Sequence, residues 1–216
     1  MSKQYFEDVA EQWDEMRKGF FSEVVREKAY KVAEIRSGEL AVDVGAGTGF
    51  LTEGLLKSGL KVIAVDQSEA MLDEMKKKFE VFQAVEYRTG ESENLPIEDK
   101  TVDYVFSNMY LHHVKSPLNA IKEMVRVLKP GGKLIITDLD EHRFEFLRKE
   151  QHDHWMGFRR EDIEKWFIEA GLSQVKVECA GEYCCSDSAG CGCESVDISI
   201  FIASGSKRGS QLEAAR

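Results

Sequence analysis

The most constraining stretch of the chain is Leu40-Ala41-Val42-Asp43-Val44-Gly45-Ala46-Gly47-Thr48-Gly49-Phe50. A short, nearly continuous apolar run passes straight into alternating glycines. Such a run, without polar alternation, suits a strand buried on both faces of a parallel sheet. Glycines at 45, 47 and 49 permit a tight turn and let a ligand approach the backbone. A helical period resumes at Thr48, so unpaired N–H groups of a helix start face whatever sits on the turn. A second apolar run, Leu60 to Val65, ends at Asp66. That spacing from the glycines is the one from which a carboxylate accepts from ribose hydroxyls. A dinucleotide loop wants a third glycine at position 50, where this chain has Phe50. The observed G-x-G-x-G pattern fits a nucleoside ligand that lacks a diphosphate.

Around this nucleus, strand and helix patterns alternate. Helices are predicted over 4–17, 21–36, 48–57, 68–79, 117–128 and 159–171. Strands are predicted over 40–44, 60–65, 85–89, 102–107, 133–139, 174–178 and 197–203. Ser68 reads as a helix cap, and the run Lys76-Lys77-Lys78 falls at a helix C-terminus, where cations face the negative end of the dipole. Pro130-Gly131-Gly132 stops the preceding helix. The alternation implies an α/β fold, a doubly wound, mostly parallel seven-stranded sheet with helices on both faces. No helix joins the last two strands, so they are expected to pair antiparallel at one edge. Three parts are expected: an N-terminal helical lid at 1–36, a domain at 37–204 with a cysteine-rich insert at 179–195, and a disordered tail at 205–216.

Five segments in order carry a family resemblance. Val42 to Gly49 resembles motif I of the class I S-adenosylmethionine-dependent methyltransferases. Val65-Asp66-Gln67-Ser68 with Met71-Leu72 is similar to the ribose-binding strand end, and Glu91-Ser92-Glu93-Asn94-Leu95-Pro96 to the adenine-contacting loop. Phe106 to Val114, with Leu111-His112-His113-Val114, resembles the segment after strand 4, and Leu128-Lys129-Pro130-Gly131-Gly132 the turn before strand 5. The match covers about residues 35–140. It implies S-adenosyl-L-methionine as cofactor and S-adenosyl-L-homocysteine as product. It also implies a cofactor set of Asp43, Gly45, Gly47, Gly49, Asp66, Gln67, Met71, Glu91, Ser92 and Asn108. Within it, Gly45, Gly47 and Gly49 line the methionine and ribose, Asp66 holds both ribose hydroxyls, and Gln67 and Met71 flank the adenine. Glu91 accepts from the adenine amino group, the Ser92 amide meets a ring nitrogen, and Asn108 sits by the methionine end. Members often carry Asp-Ala where this chain has Glu91-Ser92.

Methyl transfer from a sulfonium is an in-line displacement that leaves a neutral thioether, so the leaving group needs no proton. The site must align, desolvate and deprotonate the nucleophile. A base is required when the acceptor is a weak acid; His113 and His154 are the candidates. As a pair, His112-His113 reads first as packing and capping. Tyr5, Phe6 and Trp13 on the first helix suit a cover over the cofactor. His152, His154, Trp155 and Phe158 follow the fifth strand and are placed to wall the same pocket.

All five cysteines lie close together, at Cys179, Cys184, Cys185, Cys191 and Cys193. Glu182, Asp187, Glu194 and Asp197 fall among or beside them, with no Lys or Arg from 179 to 200. A nucleophilic thiol needs a nearby cation to lower its pKa. None is local, whereas a soft cation would deprotonate the thiols itself. The spacing lacks the paired C-x2-C of common zinc sites. The segment therefore reads as a small, flexible loop that binds a thiolate-held metal, a metalloid substrate such as trivalent arsenic, or nothing. As an insert beyond strand 6, it is expected on the rim that bears the cofactor loops.

Net charge is −10, which disfavours a nucleic-acid partner. No run reaches the length of a membrane span, and the polar N-terminus lacks a signal peptide's apolar core. The expectation is a cytoplasmic monomer or homodimer acting on a small molecule: a metalloid or thiol, or else a quinone-like or other O, N or C nucleophile. A non-catalytic, metal-sensing cofactor-binding module is the further alternative.

Overall fold

The computed structural model describes residues 2–18, 20–145, 148, 153–187 and 195–209. Among the described residues, seven α-helices and seven strands follow in order. These are α1 (Ser2–Val9), α2 (Trp13–Arg17), α3 (Glu23–Ala33), β1 (Leu40–Val44), α4 (Phe50–Lys57), β2 (Lys61–Asp66), α5 (Glu69–Lys78) and β3 (Val85–Thr89). Then come β4 (Val102–Asn108), α6 (Pro117–Val127), β5 (Leu128–Leu139), α7 (Arg160–Glu169), β6 (Leu172–Asp187) and β7 (Ser195–Lys207). The sheet order is β3-β2-β1-β4-β5-β7-β6. β7 runs antiparallel to both neighbours and all other pairs are parallel. The expected fold class and the antiparallel edge pair are both present.

Adjacent residues of each strand serve opposite faces. Ala41, Val62, Ala64, Phe106, Ile135 and Ile202 pack against Val25, Ala29, Leu55, Leu72 and Met75 of α3, α4 and α5. Their neighbours Val42, Ile63, Val65, Val105, Ile136 and Phe201 pack against Ile121, Met124, Ile163 and Phe167 of α6 and α7. Both faces are covered, which is why the strands read as unbroken apolar runs.

The order of strand addition reverses between β1 and β4, which stay parallel: β2 and β3 add on one side of β1, and β4, β5, β7 and β6 on the other. Ligands of open α/β sheets bind at this switch point, beyond the strands' carboxyl ends. The glycine turn after β1 and the Met109–Val114 segment after β4 meet there.

Several boundaries differ from expectation. The helix predicted over 4–17 breaks at a 3-10 turn, Ala10–Gln12, because its halves serve different partners. Glu7 of α1 accepts from the N–H groups of Glu69 and Ala70 at the start of α5 (3.1 and 3.3 Å), while Asp14 of α2 accepts from Thr48 Oγ1 (2.8 Å). α3 is not part of a cover: Val25, Ala29, Tyr30 and Ala33 are buried in the core. β5 starts early because Leu128 already pairs with Val102, and the extra residues Pro130 to Gly132 are absorbed in a register shift.

The largest correction concerns the insert. The expected flexible loop is strand as far as Asp187: Cys184 pairs with Ile198 and Cys185 with Asp197. A register shift between Cys179 and Tyr183, containing Gly181 at φ 79°, bends β6 so that pairing resumes. The β5–β7 ladder ends at Leu139 and Ile200, so the hairpin continues past it as a two-stranded ribbon. Cys191, Cys193 and His152 lie outside the described residues. The expected tail is also too long, since β7 runs to Lys207. Lys207 Nζ donates to the carbonyls of Val125, Arg126 and Leu128 (2.7, 3.0 and 2.8 Å), closing the C-terminal carbonyls of α6. Residues 210–216 lie outside the described residues.

Candidate active site

The turn after β1 takes positive φ at Gly45, Gly47 and Gly49 (70°, 53° and 91°). A Cβ on Gly45 would stand 2.2 Å from Cγ of Tyr110, so glycine is needed there on two counts. Asp66 ends β2 with its carboxylate facing this turn: Oδ2 accepts from Gly47 N (2.8 Å) and Oδ1 from Ser68 N (2.9 Å). Burial raises its pKa, and the backbone N–H donors pull the other way. An ionised carboxylate has about four acceptor positions, so Asp66 keeps acceptor capacity for further donors.

Asp43 is built differently from expectation. It is fully buried and accepts from Thr52 N (3.0 Å) and Thr52 Oγ1 (2.7 Å). Gly49 at the N-cap of α4 has no side chain to offer, so Asp43 closes the helix start from the strand. Burial pushes its pKa up to about 7 against the pull of those two bonds. It also lines the small cavity described below.

The other expected cofactor residues converge on the same rim. Ser68 caps α5 through Met71 N (3.2 Å), and Met71 is fully buried. Gln67, Glu91 and Ser92 share one cavity wall. The Glu91–Pro96 segment is tied down from α6 by Arg126, which donates to the carbonyls of Leu95 and Ile97, and by Glu123. Glu93 accepts from Ser116 N at the start of α6 (3.0 Å). Asn108 accepts from Thr137 Oγ1 (2.7 Å).

Tyr110, which no sequence pattern singles out, divides the crevice. Its ring lies on Gly45 and its hydroxyl reaches Ser92 Oγ (3.2 Å). Burial pushes the phenol up to about 12. On one side is a cavity of about 30 Å³ lined by Trp13, Arg17, Asp43, Gly47 and Asn108, among others. On the other is one of about 150 Å³ whose lining includes Gln67, Glu91, Ser92, His113 and His154. Drug-sized ligands occupy pockets of roughly 300–1,000 Å³, so with α1–α2 and Tyr110 in these positions each of the two cavities is smaller than such a pocket.

α1 and α2 lie directly over this crevice. Phe6 packs edge-on against Trp13 (5.4 Å) and His113 (5.0 Å), and Arg17 sits 4.5 Å over the Phe50 ring. Asp14 also accepts from Lys78 of α5 (2.8 Å).

The histidines are deeper than capping residues. His112 Nδ1 lies 2.6 Å from Asp138 Oδ1, and Asp153 Oδ1 is 3.8 Å from His112 Nε2 and 3.4 Å from His113 Nδ1. Burial lowers the His112 pKa, but Asp138 and Asp153 outweigh it and hold the imidazole at about 9. Asp138 and Asp153 sit in unremarkable sequence, and pairing with the histidine dyad is what makes them visible. His154 is exposed, and its N–H donates to His112 O (3.0 Å).

Cys179 corrects the argument that no cation is near the thiols. Arg160 of α7 lies beside its sulfur and Lys28 of α3 donates to its carbonyl (2.6 Å). Both come from far off in sequence, where a local charge count does not see them.

Comparison with known proteins gives a consistent picture. Residues 42–136 match the methyltransferase-domain family. Over 167 residues the chain is 34% identical to 2-methyl-6-phytyl-1,4-hydroquinone methyltransferase 2 of Oryza sativa, covering 76% of this chain and 47% of that one. It is 29% identical to the ubiquinone biosynthesis O-methyltransferase of Coxiella burnetii over 80% of this chain and 81% of the relative. The chain spans about a quarter of the bifunctional biotin-biosynthesis protein BioHC of Cellvibrio japonicus, at 27%, and about half of the rice enzyme. The fold is shared with a Haloferax volcanii methyltransferase solved with its Trm112 activator (TM-score 0.75, 17% identity, 94% and 97% of the two chains). It is also shared with a Thermotoga maritima protein described as a possible histamine N-methyltransferase (TM-score 0.71, 22% identity, 96% and 100%).

Proposed function

We propose that the chain, whose residues 42–136 match the methyltransferase-domain family, is a class I S-adenosylmethionine-dependent methyltransferase that methylates a small, flat, hydroxylated acceptor of the quinol type. The observation that carries the cofactor half is the Asp66 carboxylate held against the glycine turn with acceptor capacity to spare. Bound there, S-adenosylmethionine supplies an electrophilic methyl whose displacement leaves a neutral thioether. Gly45 and Gly47 give it room, Asp66 takes the ribose hydroxyls, and Gln67, Glu91 and Ser92 take the base. Asp43 acts at one remove, by fixing the start of α4 beneath the turn.

The aromatic cover supports the acceptor half. Phe6, Trp13 and Tyr110 bring ring faces and edges to the crevice, where a flat acceptor stacks and water is excluded. The rice hydroquinone methyltransferase and the Coxiella ubiquinone-pathway enzyme are relatives whose names carry acceptors of this kind. A phenolic acceptor must lose its proton as the methyl arrives, and His154, the exposed imidazole on the cavity wall, is assigned that role. The test is a panel of hydroquinones with methyl-labelled cofactor, read by mass spectrometry. Label in a hydroquinone product, with kcat reduced about 10²-fold or more in His154→Gln, supports the reading. Cofactor binding without label in any of them removes the quinol assignment.

One observation favours a second reading, a thiophilic acceptor such as trivalent arsenic. The β6–β7 ribbon extends beyond Leu139 and Ile200 on the carboxyl-end rim and carries Cys184 and Cys185. Arsenite methylation abolished in Cys184→Ser and Cys191→Ser supports it; no methylated arsenic from the unmodified chain removes it.

A further inference from the structure

We propose that His112, His113 and Asp153 form a binding site for one divalent transition-metal ion of the zinc class, separate from the cysteine segment. One donor atom from each lies within 4.8 Å of the other two, and all three residues are buried. The separations are informative. Asp153 Oδ1 stands 3.4 Å from His113 Nδ1 and 3.8 Å from His112 Nε2. N–H···O hydrogen bonds fall at about 2.7–3.2 Å, and both distances exceed that. Ligands held at about 2.1 Å around a tetrahedral centre stand about 3.4 Å apart. The spacing is that of co-ligands.

The surroundings point the same way. Asp138 takes His112 Nδ1 at 2.6 Å, which turns Nε2 toward Asp153. A ligating histidine characteristically donates its other ring nitrogen to a carboxylate. Asp138 is itself fixed by the N–H groups of Leu139 (2.7 Å) and His112 (3.3 Å). Two buried carboxylates here face two buried imidazoles, so the site offers three ligating groups, Asp153 and both histidines, with the Asp138 carboxylate behind His112. Two nitrogens and one oxygen favour zinc, cobalt, nickel or iron(II) over calcium or magnesium.

The fold holds the donors in place. His112 and His113 follow β4 and Asp153 lies in the connection after β5, and the two strands are parallel neighbours. The N–H groups of His154 and Trp155 both donate to His112 O (3.0 Å each). An ion at this site staples together two segments that wall the larger cavity.

The test titrates the chelator-stripped full chain with Co²⁺ and Zn²⁺, by absorption and calorimetry, beside a variant carrying Ser at all five cysteines. The expected result is one ion per chain, a cobalt spectrum of ligand-field bands without sulfur charge transfer, and retention in the five-Ser variant. Asp153→Asn and His113→Gln each weaken binding at least tenfold, and Asp138→Asn weakens it 10–100-fold, with folding checked by circular dichroism. A cobalt spectrum dominated by sulfur charge transfer and lost in the five-Ser variant overturns the proposal. So does the absence of stoichiometric binding by the unmodified chain, a result that does not depend on any variant folding.

Discussion

At the residue scale, the carboxylates divide the labour, and pH separates them. Asp43 has its pKa raised to about 7 by burial, against about 3.9 in an unfolded chain. The folded state therefore favours its protonated form. Its contribution to stability is fully present below about pH 4 and is lost as pH rises to about 7. Asp43→Asn should gain stability relative to the parent across that window, seen in denaturant unfolding at stepped pH; parallel profiles would contradict the assignment. Gly45→Ala should lose cofactor binding at least tenfold by calorimetry while the chain stays folded, because the added methyl meets the Tyr110 ring at a backbone φ of 70°. The glycine spacing and Asp66 were legible in sequence, since both follow from the local geometry of a strand end. Asp43's role was not, because a strand carboxylate facing a helix start looks the same as one facing a ligand. Tyr110 was hidden as well: its place on Gly45 follows from the positive φ of Met109 (51°), which no residue pattern announces.

Elements differ in how much of their extent the sequence reveals. β1 and β3 begin and end where the apolar pattern places them, because both are bounded by turns. β6 and β7 outrun the pattern because they pair with each other beyond the sheet, and small polar residues pair in a hairpin as readily as they loop. The broken first helix is set by two distant partners, Asp14 to Thr48 and Lys78, and Glu7 to the start of α5. Asp14→Ala removes the first tether. It should speed proteolytic cleavage within residues 9–20 and raise the association rate of S-adenosylmethionine in stopped-flow fluorescence of Trp13. Unchanged cleavage and unchanged association would mean that the cover is held elsewhere. Truncating Lys207 to Ala should expose the α6 carbonyls it closes and lower the unfolding midpoint, a cost of about 1–3 kcal/mol.

For the whole molecule, the doubly wound order was readable because both faces of the sheet are buried and alternation of element types is a long-range signal. Phe201 lies on the antiparallel strand wedged between β5 and β6 and is fully buried. Phe201→Ala should destabilise the domain by about 3–5 kcal/mol, while Val81→Ala, at 84% exposed, should leave the midpoint in place. The central claim is that the switch point between β1 and β4 grips a nucleoside through Gly45, Gly47 and Asp66. Isothermal titration of the intact chain with S-adenosylhomocysteine, with Asp66→Ala and with NADH as comparators, tests it most directly. The account predicts saturable one-to-one heat with the unmodified chain, at least a tenfold loss in Asp66→Ala, and no heat with NADH. Saturable NADH binding with none for S-adenosylhomocysteine would contradict it.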